Sequence, residues 1–203
     1  MQAQAYKLQM RRFRYQSVVK TRLADGTEVL LRPISPDDKP LLEEGMSRLS
    51  PDSRRLRFMA PVETLSRAQL TYLTEIDHRH HLAWGVLRGD EPVAVGRAVR
   101  LHDDPTAAEV AITVVDEYQR RGIGRLLIEL LAEVSRRLGI ERFTFEALPE
   151  NDAMLSLLRS YGADYHLGEG VVAGQLDLRS IPAPALSMGE VEALTLRAQA
   201  RAD

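Results

Sequence analysis

The feature that most constrains the fold is a stretch near the middle of the chain in which a strand, a turn and a long helix follow one another directly. Residues 107–115 alternate in character with a period of two, as in a strand with one buried face. From Ile123 onward the apolar residues recur at steps of three and four, which is typical of an amphipathic helix. Gly139 is of the type that ends a helix. The two periods predict a β-strand that leads at once into an α-helix.

The turn between this strand and this helix combines two glycines with three arginines, in the order Gln119-Arg120-Arg121-Gly122-Ile123-Gly124-Arg125. Backbone N–H groups at the start of a helix lack partners inside it, and glycines let an anion come close to the backbone. The turn therefore predicts a phosphate-binding site. It has no Gly-Lys-Ser/Thr of a P-loop, and Leu127 stands where a dinucleotide fingerprint requires a third glycine, so neither class fits.

The composition is that of an ordinary globular protein, with 44% apolar and 28% charged residues among 203. A net charge of −2 gives no overall attraction to nucleic acid or to a membrane surface, so both partners are disfavoured. The lack of cysteine excludes disulfides, thiolate metal sites and a cysteine nucleophile. No apolar run approaches the roughly 18 residues of a membrane span, and no signal-peptide pattern opens the chain, so we expect a cytoplasmic protein.

The chain divides into a basic N-terminal arm (1–16), a main domain (17–180), and a linker with a C-terminal amphipathic helix (181–203). That last helix is expected to pack on the domain or on a second copy, which would make a homodimer. Turn signals, alternation and helix caps predict the remaining order of mixed α+β elements. It comprises the strands Ser17–Leu23, Thr27–Ile34, Leu82–Arg88, Pro92–Leu101, Arg142–Leu148 and Val171–Leu178, and the helices Pro36–Leu49, Pro51–Arg57, Ser66–Ile76 and Asn151–Tyr161.

The spacing Gln119-x-x-Gly122-x-Gly124, placed between that strand and that helix, resembles the pyrophosphate-binding motif of the GNAT family of N-acetyltransferases. Asn151 stands where the family often has an asparagine that contacts the pantetheine arm. Other stretches are similar to one branch, the acetyltransferase domain of bacterial Pat-type protein lysine acetyltransferases. They are Leu31-Arg32-Pro33-Ile34, Leu49-Ser50-Pro51, Leu73-Thr74-Glu75-Ile76-Asp77, Ala108-Glu109-Val110-Ala111 and Glu150-Asn151-Asp152-Ala153-Met154. The resemblance covers about residues 21–180.

The resemblance implies an α+β GNAT fold, in which a mixed, mostly antiparallel central sheet is flanked by helices. The sheet is splayed between its fourth and fifth core strands, here residues 107–115 and Arg142–Leu148, and a bulge in the former is expected to leave backbone groups free. The N–H of Val114 or Val115 would then polarise the thioester carbonyl of acetyl-CoA. The other expected contacts to this donor are Gln119, Arg120, Arg121, Gly122, Ile123, Gly124, Arg125 and Asn151.

Acetyl transfer needs a neutral amine, but a lysine with a pKa of about 10.4 is protonated at pH 7, and supplying its neutral form costs about 4.6 kcal/mol. A poorly solvated carboxylate can remove that proton. We expect this general base to be Glu109, which is set among apolar neighbours and matches the glutamate regarded as the base in Pat-type relatives. The alternative is a strand-end glutamate that faces water or pairs with an arginine such as Arg97 or Arg100. Asp77 and Glu146 are reserve candidates.

The sequence departs from the family at the position of the general acid. Many GNAT enzymes have a tyrosine seven residues after the helix-opening asparagine, where this chain has Leu158. Tyr161 lies three residues later and is expected to be a packing residue, so no general acid is assigned. Because the chain has no cysteine, we expect direct transfer in a ternary complex.

Three histidines, His78, His80 and His81, stand close together in the sequence. They show no acid–histidine helix spacing and have no cysteine nearby, so we interpret them as a surface cluster and expect no metal.

The predicted function is therefore transfer of acetyl from acetyl-CoA to a primary amine, above all a protein lysine side chain. The alternatives are the same chemistry on a small amine, and a regulatory module that binds acyl-CoA with little catalysis. A third alternative, nucleic-acid binding through the basic arm, is disfavoured by the net charge of −2.

Overall fold

The computed structural model describes residues 18–199, with side chains described through residue 195. The expected basic arm (1–16) lies outside this range. One sheet of eight strands runs through the described chain in the order β1-β2-β3-β4-β5-β6-β8-β7. The strands are β1 Val19–Arg22, β2 Glu28–Pro33, β3 His81–Arg88, β4 Glu91–Arg100, β5 Ala107–Val114, β6 Arg142–Ala147, β7 Asp164–Gly168 and β8 Val171–Asp177.

Between residues 18 and 199, six α-helices flank the sheet, joined by short 3-10 turns that include Pro36–Asp38 and Asp116–Tyr118. The helices are α1 Lys39–Ser47, α2 Pro51–Phe58, α3 Arg67–Thr74, α4 Ile123–Arg137, α5 Asp152–Arg159 and α6 Met188–Gln199. The single helix predicted over Pro36–Leu49 is wrong, because a 3-10 turn precedes α1. Pro40 has no N–H to continue the hydrogen bonds of that turn, so a new helix starts around it.

The core lies on the face of the sheet that α4 covers. Leu127 and Leu131 of this helix are completely buried, as are Trp84 and Phe143 on the strands. Gly96 on β4 permits this close packing, since a Cβ there would lie only 3.1 Å from the Cβ of Leu127. Apolar contact over this area is the main favourable term that holds the helix to the strands.

The C-terminal helix α6 belongs to the same core. Its Val191 and Leu194 are buried, and the helix contacts β1, β2 and α4. Of the two packing partners expected for it, the structure therefore shows the body of the domain. No helix among residues 18–199 is long and apolar enough to cross a membrane.

The sheet opens between β5 and β6. β5 pairs with β4 along its whole length, from Arg100↔Ala108 to Ala94↔Val114. It pairs in parallel with β6 at only three positions, the last of them Glu109↔Thr144. The antiparallel pairing elsewhere and this splay confirm the predicted GNAT fold. The expected bulge in β5 is wrong, since the β4–β5 register has no shift and the gap arises simply because pairing with β6 stops.

Gly174 on β8 gives a test of the packing beyond the gap. A Cβ at this position would lie 2.5 Å from the Cβ of Tyr165 and 2.6 Å from Cζ of Phe145. We expect Gly174→Ala to lower the free energy of unfolding, measured by urea denaturation, by about 2–3 kcal/mol through overpacking. Gly189→Ala on α6 is the matched control, with open space around it and no expected loss. A Gly174→Ala protein as stable as the parent would contradict the β6–β8–β7 packing described above.

Candidate active site

A cleft of about 540 Å³ lies where β5 and β6 part. Its walls come from the end of β5, the turn that starts α4, the inner side of α2 and the beginning of α5. Its lining includes Ser53, Arg57, Ile112, Thr113, Val114, Gln119, Arg120, Gly122, Ile123, Gly124, Arg125, Asn151 and Leu157. Most of the residues predicted from the sequence are thus brought together, whereas Glu109, Val115 and Arg121 are not part of this lining.

The turn before α4 presents free backbone donors to the cleft. Gly122, with a φ of +87°, precedes the helix, and no side chain caps it. The first intrahelical bond runs from the N–H of Leu126 to the carbonyl of Gly122, at 3.0 Å. The N–H groups of residues 123–125 therefore have no partner in the described chain. Such a helix start is a ready-made anion site.

The three arginines of the turn differ in how strongly they are held. Arg121 lies 3.6 Å from Asp25 and over the ring of Tyr118, and Arg125 lies 3.9 Å from Glu129. Arg120 makes no ion pair with any described residue, and its φ of +61° is uncommon for a side chain other than glycine. Backbone strain of this kind is typical of ligand-binding turns. Arg120 is thus the cation least committed to the protein itself.

Asp116 fastens α2 to this turn, a role that the sequence analysis did not foresee. Its carboxylate accepts hydrogen bonds from the N–H of Ser50 (2.9 Å) and from the hydroxyls of Ser50 and Ser53 (both 2.8 Å). Burial acts to raise the pKa of Asp116, but these bonds outweigh it and lower the pKa. The side chain of Gln119 completes the network by donating to Ser53 and to the carbonyl of Val114, both at 3.2 Å. Its amide nitrogen therefore holds the turn in place.

The free N–H groups of β5 can be assigned from the ladder to β4. The N–H of Val115 donates to the carbonyl of Val93 at 2.9 Å, so the prediction that it is free for the thioester is wrong. N–H groups alternate between the two edges of a strand, so those of Val114 and Ile112 point to the opposite edge, where β6 has parted. No described side chain accepts from either. Ile112 was missed from the sequence because only the register reveals which edge it faces.

Asn151 precedes α5 on the far wall of the cleft. Its Oδ1 accepts a hydrogen bond from the N–H of Met154 at 3.2 Å, so it caps the helix. Its amide nitrogen makes no hydrogen bond within the described chain. The residue can therefore cap α5 and donate into the cleft at once.

Glu109 lies outside this cleft, and its side chain is exposed. The expectation of a poorly solvated site is wrong, because β5 turns this residue to the face of the sheet away from α4, where a depression is open to solvent. Glu146, Asp164 and His166 line the same depression. The charge of Glu109 acts on the guanidinium of Arg57, which lines the cleft. Burial lowers the pKa of Arg57, and the charge of Glu109 acts in the opposite direction.

The reserve base Asp77 is fully engaged. Its Oδ1 accepts from the N–H groups of Arg79, His80 and His81 at 2.8–2.9 Å, and its Oδ2 lies 2.8 Å from Nδ1 of His80. Burial acts to raise the pKa of Asp77, but these bonds prevail and hold it far below its usual range. A carboxylate stabilised in this way is a poor proton acceptor.

The positions considered for a general acid are both buried. Leu158 is part of the core, and the hydroxyl of Tyr161 donates to Oε1 of Glu129 at 2.8 Å. Burial and this bond raise the pKa of Tyr161 well above its ordinary value. Tyr161 is thus the packing residue that was expected.

The three histidines do not form the predicted surface cluster. His78 and His81 are buried, and only His80 is exposed. Nε2 of His78 lies 2.9 Å from the carbonyl of Ile34, and Nε2 of His81 accepts from Nη1 of Arg97 at 2.8 Å. Among the residues that the structure describes, no group of three or more metal-binding side chains converges.

The model of the acetyltransferase (GNAT) family matches residues 47–163, and the chain belongs to this family of acyltransferase enzymes. Within it, the chain is similar to acetyltransferase Pat of Mycolicibacterium smegmatis, with 33% identity over 163 residues that cover 79% of this chain and 49% of Pat. An acetyltransferase of Pseudomonas aeruginosa is 30% identical over 144 residues, which cover 69% of this chain and 77% of that protein.

Solved structures agree with this placement. The GNAT domain of S. lividans PAT superimposes with a TM-score of 0.75 at 30% identity, covering 80% of this chain and 98% of that domain. A cAMP-binding acyltransferase from Mycobacterium smegmatis matches with a TM-score of 0.68 at 28% identity, covering 92% of this chain and 56% of that protein. The chain is thus similar to the acetyltransferase part of the Pat proteins and spans about half the length of the Mycolicibacterium relative.

The buried His81 gives the fold a pH dependence. Burial, and then the charge of Arg97, lower its pKa from 6.5 to about 4, with Asp77 opposing and His78 adding to the shift. Because the unfolded chain binds this proton more readily, the stabilisation is complete above pH 6.5 and is lost as the pH falls toward 4. We expect the free energy of unfolding to fall by about 2 kcal/mol from this group between pH 7 and pH 5, measured by urea denaturation.

The control is His81→Gln, which does not titrate and whose side-chain oxygen can still accept from Arg97. Its free energy of unfolding should depend less steeply on pH over the same interval. Identical pH profiles for the two proteins would contradict the buried neutral imidazole.

Proposed function

We propose that this protein transfers acetyl from acetyl-CoA to lysine side chains of proteins, directly and with Glu109 as general base. The observation that carries the proposal is the continuity of the cleft. Free N–H groups at the start of α4 lead into a gap whose edge carries the free N–H groups of β5. A diphosphate joined to a thioester by an extended amide-bearing arm is complementary to this sequence of donors.

Acetyl-CoA fits the cleft in an order that starts with its diphosphate. The N–H groups of residues 123–125 and the guanidinium of Arg120 bind the diphosphate. The pantetheine arm runs along the gap beside β5, where the amide of Asn151 donates to it. The N–H of Ile112 or Val114 donates to the thioester carbonyl and stabilises the oxyanion that forms there.

The geometry of the acceptor side supports Glu109 as the base. This residue is the last of β5 to pair with β6, and Ile112 follows three positions later, roughly 10 Å along the strand. A proton can cross that distance along a short chain of bound waters, because each hydrogen bond in such a chain spans about 3 Å. Because the carboxylate is exposed, it acts by its position at the mouth of the gap, and the proposal does not need it to be desolvated.

The reaction then proceeds by proton transfer, attack on the thioester and collapse of the intermediate. Glu109 takes a proton from the lysine ammonium, and the neutral nitrogen attacks the thioester carbon to form a C–N bond. The tetrahedral intermediate collapses with cleavage of the C–S bond, the nitrogen releases its second proton, and CoA leaves as a thiolate that takes up a proton from solvent. No acyl-enzyme is formed.

The surface around Glu109 favours a protein acceptor over a small amine. The depression that it shares with Glu146 and Asp164 carries three carboxylates that attract an ammonium group. It is open to solvent, as a lysine on a protein surface requires. A free small amine would need contacts on several sides to be held in place.

Incubation of the protein with cell-lysate proteins and isotopically labelled acetyl-CoA, read by mass spectrometry, tests the acceptor class. We expect label on a limited set of lysines, with far slower CoA release in the presence of polyamines or aminoglycosides. Faster turnover of a small amine would contradict the protein acceptor but not the acetyl transfer. Binding of acetyl-CoA without release of CoA in any mixture would favour a regulatory module.

Substitution of Glu109 tests the base. We expect Glu109→Gln to lower kcat/KM about 10²–10⁴-fold at neutral pH, the usual contribution of a positioned base. The deficit should shrink at alkaline pH, where a larger fraction of the lysine is already neutral. Turnover unchanged at both pH values would remove Glu109 from the mechanism.

Glu146→Gln is the matched control, since it removes a carboxylate from the same depression. It should have a much smaller effect, through the lost attraction for the ammonium. The reverse order of the two effects would assign the base to Glu146.

A further inference from the structure

A small side cavity adjoins the cleft on the face of the sheet opposite α4. It measures about 70 Å³ and lies between β4, β5 and the helices α1, α2 and α3. It shares Leu49, Arg57 and Thr113 with the cleft, so the two spaces meet beside the part of β5 that follows Ile112. Its walls are mostly apolar, and the charged groups among them are the guanidinium groups of Arg57 and Arg97.

Neither guanidinium makes a hydrogen bond or an ion pair with a carboxylate of the described residues, although the charge of Glu109 acts on Arg57 from a longer distance. Arg97 is only 5% exposed and donates to Nε2 of His81 at 2.8 Å, with the carbonyl of Leu73 more distant at 3.5 Å. Arg57 is half-buried, lies over the ring of Phe58, and makes no hydrogen bond or ion pair within the described chain. Burial, and then the charge of Arg57, lower the pKa of Arg97 to about 9. The protein therefore brings two like charges close together.

An arrangement of this kind is unfavourable for the protein alone. A buried cation without a counterion loses hydration that no protein group restores, and a second cation nearby adds repulsion. The other buried guanidinium of the core, that of Arg32, is paired with the carboxylate of Asp38. The contrast indicates that the position of Arg97 serves an anion that is not part of the described chain.

The direction from which an anion would arrive follows from the shared lining. The cavity joins the cleft where the thioester is placed, and Thr113 is the next residue along β5 after Ile112. A substituent on the acyl carbon would extend past Thr113 into apolar walls and end at the two guanidinium groups. Methylene groups fit those walls, and a terminal carboxylate fits the guanidinium pair.

We propose that this cavity is an acyl-chain subsite, and that the enzyme accepts short dicarboxylic acyl groups such as succinyl from their CoA thioesters. This inference rests on the proposed acyl transfer and extends it to the choice of acyl group. The bonds are those of acetyl transfer: the C–N bond to lysine forms, the C–S bond breaks, and the distal carboxylate is unchanged. Arg97 and Arg57 are then the residues that determine acyl specificity.

The test compares succinyl-CoA with butyryl-CoA, which has the same number of carbons and no distal charge. Both are offered to the full chain with a lysine-bearing protein acceptor, and enzyme-free rates are subtracted. We expect kcat/KM for succinyl-CoA to exceed that for butyryl-CoA by about tenfold or more, as expected for a charge-assisted hydrogen bond in a buried site. A ratio at or below one in the parent protein would overturn the proposal.

Arg97→Met is the decisive variant because it keeps an unbranched apolar stem at this position and removes the charge. The ratio of kcat/KM for succinyl-CoA to that for butyryl-CoA should fall about tenfold, and Arg97→Lys should restore part of it. Because the readout is a ratio, a general loss of activity cancels. An unchanged ratio in Arg97→Met would overturn the subsite.

Arg57→Met, at a half-buried position, provides a second measurement should Arg97→Met fail to fold, and its ratio should fall as well. The outcome also separates this inference from the proposed function. Acetyl transfer without a preference for succinyl refutes only the subsite. Failure of every acyl-CoA with every amine refutes the acyl transfer itself.

Discussion

The structure depends on where one strand pairing stops. β5 keeps its full ladder with β4 but is held to β6 by only three parallel pairs, ending at Glu109↔Thr144. Backbone donors that would otherwise be used inside the sheet become available along the exposed edge of β5. The helix α4 packs across β4 and β5 on one face, so the opening does not cost the sheet its core. The cleft and the proposed acceptor surface both follow from this interruption.

Two features form the walls of the gap between β5 and β6. At one end, the uncapped start of α4 leaves N–H groups directed outward. At its side, Asp116 holds Ser50 and Ser53, so α2 is fixed to the same turn. Arg57 therefore lies where the cleft meets the side cavity, and the charge of Glu109 acts on it. The proposed donor and acceptor sides of the molecule therefore meet at α2.

The strand–turn–helix unit and the first four strands were predictable because their signals are local: period, glycine and cap residues. The splay and the GNAT fold followed from resemblance. The predictions that were wrong depended on the pairing register of the strands, which the sequence does not show. Apolar neighbours around Glu109 did not tell which face it occupies, and only pairing with Val93 shows that the N–H of Val115 is used. β7 was missed because it is only five residues long and largely exposed. Arg97 was considered as a partner for a carboxylate because the sequence does not show which side chains surround it. Only the tertiary structure shows that it makes no ion pair with a carboxylate of the described residues.

The burial of Leu158 and the engagement of Tyr161 by Glu129 have a consequence for the release of CoA. With the phenol turned inward, the departing sulfur in the proposed reaction keeps its full negative charge until water reaches it. The rate of C–S cleavage would then track the basicity of the thiol that departs, as it does for thioesters in solution. Donors whose thiols are weak bases would be the fastest substrates, whatever amine receives the acyl group.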